Sequence, residues 1–158
     1  MQKQSGFTLI EMMAAMTLLA LLLSVALPFS SLVKQRALER ELRQNLHTMR
    51  DAIDAYYQAS REGKVDKPLD RSGYPPDLEA LVKGVQNKTD PNGGMLYFLR
   101  RLPADPMCEN CENRSAADTW DTRSYDSSAD SFSSGRDVFD VRSKSQRRGL
   151  NGVPYKDW

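Results

Sequence analysis

The chain is poor in the side chains that most often carry out catalysis, with one His and two Cys among its 158 residues. A nucleophilic Ser needs a neighbouring base. The one candidate, His47, lies in a stretch with helical periodicity, where we expect it on the surface rather than at a metal. There is no glycine-rich phosphate-binding loop. These absences predict a protein that is not an enzyme.

An excess of one charge sign is also lacking, because 22 basic side chains are interleaved with 21 acidic ones. Nucleic-acid-binding proteins gather their basic residues into a patch or stripe, so we expect no nucleic-acid partner. The sequence has no internal repeat of the kind that builds a solenoid. Its length leaves room for one small domain beyond a membrane segment.

The sequence does contain a long apolar run. Between Met12 and Phe29 no residue is charged, and only Thr17 and Ser24 carry polar side chains. About 20 such residues cross the core of a bilayer, so the run predicts a membrane helix. Glu11 stands at its start, and an unpaired carboxylate in a membrane costs on the order of 2–3 kcal/mol. Glu11 therefore needs a cationic partner.

A small residue, Gly6, stands before the apolar run rather than after it. A secretory signal peptide is cut behind its apolar region, so that the anchor is lost. Cleavage after Gly6 would remove only residues 1–6 and keep the anchor. The amine of Phe7 would then be a cation one helical turn from Glu11, and such a partner makes a buried carboxylate tolerable.

The string GFTLIE at Gly6–Glu11 resembles the class III signal of type IV pilins and type II secretion pseudopilins. The resemblance implies that a prepilin peptidase cuts after Gly6 and methylates Phe7, and that Glu11 pairs with the terminal amine of a neighbouring subunit. It implies a single-pass protein of a bacterial inner membrane, with its head in the periplasm. The implied partners are the membrane, further copies in a helical filament, minor pseudopilins and an inner-membrane assembly platform.

The charges that flank the apolar run favour the opposite orientation. The positive-inside rule counts Lys and Arg near the helix ends. Lys3 stands before the run, whereas Lys34, Arg36, Arg40 and Arg43 follow it. We nevertheless follow the resemblance, because the leader must meet a peptidase on the cytoplasmic side.

Pro28 lies near the end of the apolar run. Proline removes a backbone donor, so it either ends a helix or kinks it. The family resemblance places Pro28 within the long first helix, and we expect a helix kink there.

A second apolar pattern begins at Leu38 and predicts an amphipathic helix. Charged residues between its members, including Glu39 and Arg50, are expected on a solvated face, and Gly63 is a usual helix stop. We therefore predict one long helix over residues 7–62, membrane-spanning over 7–33 and amphipathic over 34–62. The apolar positions are Leu38, Leu42, Leu46, Met49, Ile53 and Tyr56.

Residues 63–158 predict a small α+β head. A short helix with Leu78, Leu81 and Val82 on its apolar face should start near Pro75 and end at Gly84. The order of a Tyr-Pro pair, this helix and a Leu-Pro-x-Asp-Pro segment resembles the head of the major, G-type pseudopilin. Strands are predicted at residues 95–99, 122–125 and 138–141, with a polar loop over 126–135 and with Trp120, Tyr155 and Trp158 at the sheet edge.

Cys108 and Cys111 form a Cys-x-x-Cys pair. Zinc requires about four ligands, and a thioredoxin-type motif needs a strand-to-helix setting, whereas this pair follows a proline in a loop. A structural disulfide in an oxidising compartment is the favoured interpretation. It would hold in place a loop that the small core cannot fix.

G-type pseudopilins carry a calcium site in their carboxyl-terminal loop, and the resemblance implies the same here. The last third of the chain is rich in Asp, but the segment after the last predicted strand, residues 142–148, is cationic and would repel calcium. We therefore expect no cofactor and keep calcium as the alternative. The candidate ligands are Asp137, Asp140 and Asp157.

Together these features predict an α+β, pilin-like fold, in which a long N-terminal transmembrane and amphipathic helix packs on a small C-terminal antiparallel sheet. The predicted function is that of a structural subunit of a type II secretion pseudopilus, a periplasmic filament that drives protein export. The alternatives are a type IV pilin of a surface pilus and a membrane-tethered binding domain.

Overall fold

The computed structural model of the protein describes residues 6–68, 70–109, 111–128 and 130–158, with the side chains of residues 25–28 excepted. Contacts divide the chain into two units, Met1–Ala37 and Leu38–Trp158. Helix α1 spans Leu9–Arg61 and contributes to both. The long helix predicted over residues 7–62 thus begins at Leu9 and ends at Arg61.

Helix α1 ends in a Schellman motif built around Gly63. The Gly63 N–H donates to the Ser60 carbonyl at 3.1 Å, and the Lys64 N–H donates to the Ala59 carbonyl at 2.9 Å. This motif requires a left-handed residue just past the helix, and Gly63 supplies it with a φ of 71°. The helix end predicted at Gly63 is therefore confirmed, and it depends on the positive φ of this glycine.

In the second unit, the apolar stripe of α1 forms one side of the core. Leu42, Met49 and Ile53 are fully shielded from solvent, and Leu38 packs against the same cluster. The head supplies the other side, with Leu81, Trp120, Val141 and Tyr155 among its most deeply buried side chains. Burial of an amphipathic face, rather than helix propensity, supplies most of the stability of such a helix.

The head contains one short helix and four short strands within the described residues, so the α+β class is confirmed. The strands pair antiparallel in two small sheets, β1 with β2 and β3 with β4. Single 3₁₀ turns lie at Ala117–Thr119 and Tyr155–Asp157. The elements are α2 at Ala80–Lys83, β1 at Val85–Gln86, β2 at Met95–Leu96, β3 at Trp120–Arg123 and β4 at Asp140–Ser143.

The strands of the second sheet lie two residues away from their predicted positions. Trp120 pairs with Ser143 and Arg123 with Asp140, whereas strands were predicted at residues 122–125 and 138–141. The cause is that neighbouring backbone donors bond elsewhere. The Val138 N–H donates to the Pro75 carbonyl at 2.8 Å, and the Ser124 N–H donates to the Ser133 carbonyl at 2.9 Å.

Helix α2 and strand β2 are shorter than predicted. Helix α2 starts at Ala80 rather than near Pro75, and the Asp77 carboxylate accepts the Ala80 N–H at 2.8 Å. Strand β2 stops at Leu96, because the N–H groups of Phe98 and Leu99 both donate to the Leu81 carbonyl. A tertiary contact thus ends strand β2 early, whereas helix α2 begins later than predicted.

Candidate functional site

The Gly6–Phe7 bond lies in a short non-helical segment directly before α1. The Phe7 side chain is 82% exposed. A Cβ added at Gly6 would meet no heavy atom within 4 Å, so the described chain does not need a glycine there for packing. An exposed, non-helical peptide bond of this kind is accessible to a protease.

Glu11 is held by Thr8 in a capping box at the start of α1. The Glu11 N–H donates to Thr8 Oγ1 at 3.3 Å, while Glu11 Oε2 accepts the Thr8 N–H at 3.3 Å and the Thr8 hydroxyl at 3.4 Å. This reciprocal arrangement satisfies donors that a helix start otherwise leaves open. The Ser/Thr-x-x-Glu spacing was the available signal for the role of Thr8, which the sequence analysis missed.

The first part of α1 is long and apolar enough to cross a membrane, and within the described part of the chain it is the one helix that meets this condition. Its large side chains are exposed, Leu9 at 81% and Leu22 at 69%. The polar side chains of the run bond within the helix. The Thr17 hydroxyl donates to the Met13 carbonyl and the Ser24 hydroxyl to the Leu21 carbonyl, both at 2.8 Å. Such internal pairing is what a bilayer core demands.

Helix α1 continues through Pro28. The alternative that Pro28 ends the membrane helix is therefore wrong, because the backbone remains helical on both sides of it. The side chains of residues 25–28 lie outside the described part, and the kink at Pro28 stays a prediction.

Cys108 and Cys111 are joined by a disulfide, with their Cα atoms 5.9 Å apart. This separation is ordinary for a disulfide. The bond leaves no thiolate to bind zinc, and the preferred interpretation of the pair is confirmed. Because the closed loop is very short, its effect on the unfolded chain lies at the low end of the usual range. The disulfide therefore fixes the loop locally.

The structure does not bring the three candidate calcium ligands into one site. Asp137 accepts hydrogen bonds from Ser72, Ser124 and the Tyr125 N–H. Asp140 is paired with a guanidinium instead. Asp157 is exposed, at the end of the 3₁₀ turn Tyr155–Asp157. Across the described ranges, no group of three or more His, Cys, Asp or Glu side chains is placed to hold a metal ion.

Asp137 instead joins a loop to the second sheet. Its burial opposes ionisation, but the hydrogen bonds from Ser72, from the Tyr125 N–H and from Ser124, together with the charge of Arg136, outweigh that effect. The pKa of Asp137 therefore lies below its ordinary value. A carboxylate with three donors is satisfied without a metal.

Asp137→Asn is expected to destabilise the head by about 2 kcal/mol at neutral pH, because buried donors lose a charged acceptor. The pKa of Asp137 is lower in the folded than in the unfolded protein. Its stabilising effect is thus present above the unfolded value of about 4 and is lost as the pH falls through the folded value. Urea unfolding of the full chain in detergent, followed by near-UV circular dichroism at several pH values, measures this.

The matched control is Asp126→Asn, because Asp126 is exposed and lies 3.6 Å from Arg136 in a surface ion pair. Such pairs contribute about 0–1 kcal/mol. We expect the gap between wild type and Asp137→Asn to narrow below about pH 4. A gap that is the same at every pH would contradict the assignment.

Two charged residues of α1 face the head, contrary to the prediction of a solvated face. Glu39 is only 5% exposed, and Arg50 is partly buried against the second sheet. The signal for Glu39 was its spacing, since positions 39, 42, 46, 49, 53 and 56 alternate by three and four along the helix. His47, by contrast, lies on the surface as predicted, 3.1 Å from Asp51.

An exposed Gly-Phe junction, a capped Glu at the start of an apolar helix, and a small α+β head define a pilin-like protein. Residues 1–27 match the family described as the prokaryotic N-terminal methylation motif. A search among solved structures gives no significant match.

Curated relatives identify the particular family. The chain is 31% identical over 121 residues to the type II secretion system core protein G of Vibrio cholerae, covering 75% of each chain. It is 33% identical over 113 residues to the protein of that name from Klebsiella pneumoniae, covering 67% of this chain and 71% of the relative. The chain therefore belongs to the family of type II secretion system core protein G, and the recognition from the sequence is confirmed.

Proposed function

We propose that this protein is the filament-forming subunit of a type II secretion pseudopilus. A prepilin peptidase removes residues 1–6 and methylates the new terminal Phe7. Before assembly, the mature subunits reside in the bacterial inner membrane with their heads in the periplasm. They then assemble, on an inner-membrane platform and with minor pseudopilins, into a periplasmic filament that drives protein export.

The observation that carries this proposal is the arrangement of Gly6–Glu11. The bond to be cut is exposed and non-helical, and the helix that follows begins within two residues of Phe7. Cleavage after Gly6 leaves the whole apolar segment on the mature chain. The only titratable side chain of the described Gly6–Phe29 segment, Glu11, then lies one turn from a new amine.

The role of the subunit is structural rather than catalytic. Its curated relatives bear the name of a secretion-system core protein, which favours a secretion pseudopilus over a surface pilus. The apolar helix supplies the membrane anchor and the packed head supplies the filament surface. A membrane-tethered binding domain would need a ligand site, and no observation on the described head favours one.

Intact-mass spectrometry of the membrane fraction tests the processing step. We expect a mass that lacks residues 1–6 and carries one added methyl group on Phe7. Gly6→Val should retain the full leader. Because a Cβ at Gly6 meets nothing in the chain, the substitution leaves the local structure undisturbed and its effect reports on the peptidase. Wild-type filaments that retain Met1 to Gly6 would contradict the proposal.

A further inference from the structure

The segment Arg147–Trp158, here called the C-terminal segment, is held against helix α1 by a buried carboxylate. Glu39 Oε1 accepts the Leu150 N–H at 2.8 Å and the Tyr155 hydroxyl at 3.0 Å. Tyr155 is fully buried and Glu39 nearly so. Hydrogen bonds to a charged group are stronger than neutral ones, and a buried donor that loses its acceptor is costly. Glu39 thus closes this segment onto α1.

A second contact between α1 and the head is made by Arg50. Its Nε donates to Asp140 Oδ1 at 2.9 Å, and its Nη2 lies 3.2 Å from the backbone oxygens of both Val141 and Trp158. The guanidinium of Arg43 lies over the Trp158 ring, 4.4 Å from its centroid. Two arginines of α1 therefore fix strand β4 and the last residue of the C-terminal segment.

Further cations occupy the oxygen atoms around the same part of the head. Lys144 Nζ donates to the Asp118 carbonyl at 2.7 Å, and Arg148 Nη1 donates to the Gly152 carbonyl at 2.9 Å. Arg142 donates twice to Asp121 Oδ2, at 2.9 and 2.8 Å. Carboxylates and backbone carbonyls are the ligands that calcium uses, and it needs about six to eight of them. Here these oxygens are already bound to guanidinium and ammonium groups.

We propose that these cationic side chains replace a divalent metal in the head of this protein. Glu39, Arg43 and Arg50 form a clasp that closes the C-terminal segment onto α1. Arg142, Lys144 and Arg148 bind oxygen atoms of the head that a metal would otherwise need. A calcium ion entering this region would meet positive charge and would have to displace several charge-assisted hydrogen bonds. The folding of the head and the closure of the segment are then independent of calcium.

The first test compares the full chain in detergent micelles with millimolar calcium and with a calcium chelator. Thermal unfolding is followed by near-UV circular dichroism, and amide hydrogen exchange is followed over the C-terminal segment. We expect equal midpoints and equal exchange rates in the two conditions. If the chelator lowers the midpoint by several degrees and speeds exchange, and calcium reverses both, the proposal is overturned.

The second test removes parts of the clasp. Arg50→Met keeps much of the side-chain volume but loses the donors, and we expect exchange in the C-terminal segment to rise at least about 10-fold. Tyr155→Phe removes only the hydroxyl that donates to Glu39, and we expect a smaller rise in the same segment. The control is Arg40→Met, because Arg40 is exposed on the same helix and should leave exchange unchanged.

The Tyr155→Phe variant keeps the test decisive if Arg50→Met does not fold. Equal exchange in Tyr155→Phe, Arg40→Met and wild type would overturn the clasp, whether or not calcium binds. None of these measurements requires filament assembly. A failure of the clasp is therefore distinguishable from a failure of the proposed function.

Discussion

Glu11→Gln is expected to abolish filament growth while leaving membrane insertion intact. An ion is strongly disfavoured inside a bilayer unless a partner lies near, and in the proposed filament that partner is the amine of Phe7 on a neighbouring subunit. Losing about 2 kcal/mol at each subunit contact weakens association about 30-fold. Insertion should persist or improve slightly, because the variant places no charge in the membrane. Membrane fractionation and filament imaging after overexpression measure the two outcomes.

Because Glu11 also belongs to the capping box, Glu11→Gln and Glu11→Ala test different interactions. Glu11 accepts the backbone N–H of Thr8, and Gln can occupy the same position of the box with its amide oxygen. Glu11→Gln therefore removes the charge and keeps the cap, whereas Glu11→Ala removes both. If Glu11→Gln forms filaments normally and Glu11→Ala does not, the cap rather than the ion pair would be what assembly needs.

Glu41→Gln is the matched control for the charge. Glu41 is exposed on the same helix, in the second unit, so the same loss of charge should leave filament yield unchanged. A normal filament yield from Glu11→Ala as well would show that Glu11 does not set the register of assembly. The central inference from Gly6–Glu11 would then be wrong.

The long helix could be predicted from the sequence because its signals are local. Its end is marked by Gly63, and its apolar residues recur at helical spacing. The Thr-x-x-Glu spacing at its start is a further local signal, although its role was not recognised from the sequence. Each signal acts within a turn or two of the residue it concerns. Such elements need no knowledge of the rest of the fold.

The strand boundaries could not be predicted, because distant partners decide them. Val138 was predicted to lie in a strand, but its N–H donates to the Pro75 carbonyl. Phe98 and Leu99 likewise read as strand, but both bond to the end of α2. When strands are only two to four residues long, one backbone hydrogen bond to a residue outside the sheet moves a strand boundary by a large fraction of the strand's length. Propensity carries no information about these partners.

The buried Glu39 shows the same limit at the level of a side chain. Its spacing places it on the apolar stripe, whereas its charge argues for solvent, and a buried carboxylate is tolerable only with partners. Those partners, Leu150 and Tyr155, are 111 and 116 residues away in the sequence. The charge of Glu39 led to the prediction that it faces solvent, whereas it is buried. The compensating donors became visible only in the folded head.

Trp120→Ala is expected to cost about 3–5 kcal/mol in the free energy of unfolding, because truncating a large buried aromatic loses apolar burial and leaves a cavity. Trp120 was predicted at the sheet edge, but it is only 2% exposed and belongs to the core. Its Nε1–H also donates to the Pro103 carbonyl at 2.8 Å. The total free energy of unfolding of a small domain is only about 5–15 kcal/mol, so this single change removes a large fraction of it.

Urea unfolding of the full chain in detergent, followed by near-UV circular dichroism, measures the loss. Trp120→Phe should cost less, about 1–3 kcal/mol, because it keeps an aromatic ring but leaves the Pro103 carbonyl without its donor. Tyr97→Ala is the control, since Tyr97 is 65% exposed and such changes usually stay within about 0.5 kcal/mol. Membrane targeting should be normal in all three variants, because the apolar segment is unchanged. If Trp120→Ala unfolds at the same urea concentration as Tyr97→Ala, Trp120 does not hold the head together, and the core has been placed wrongly.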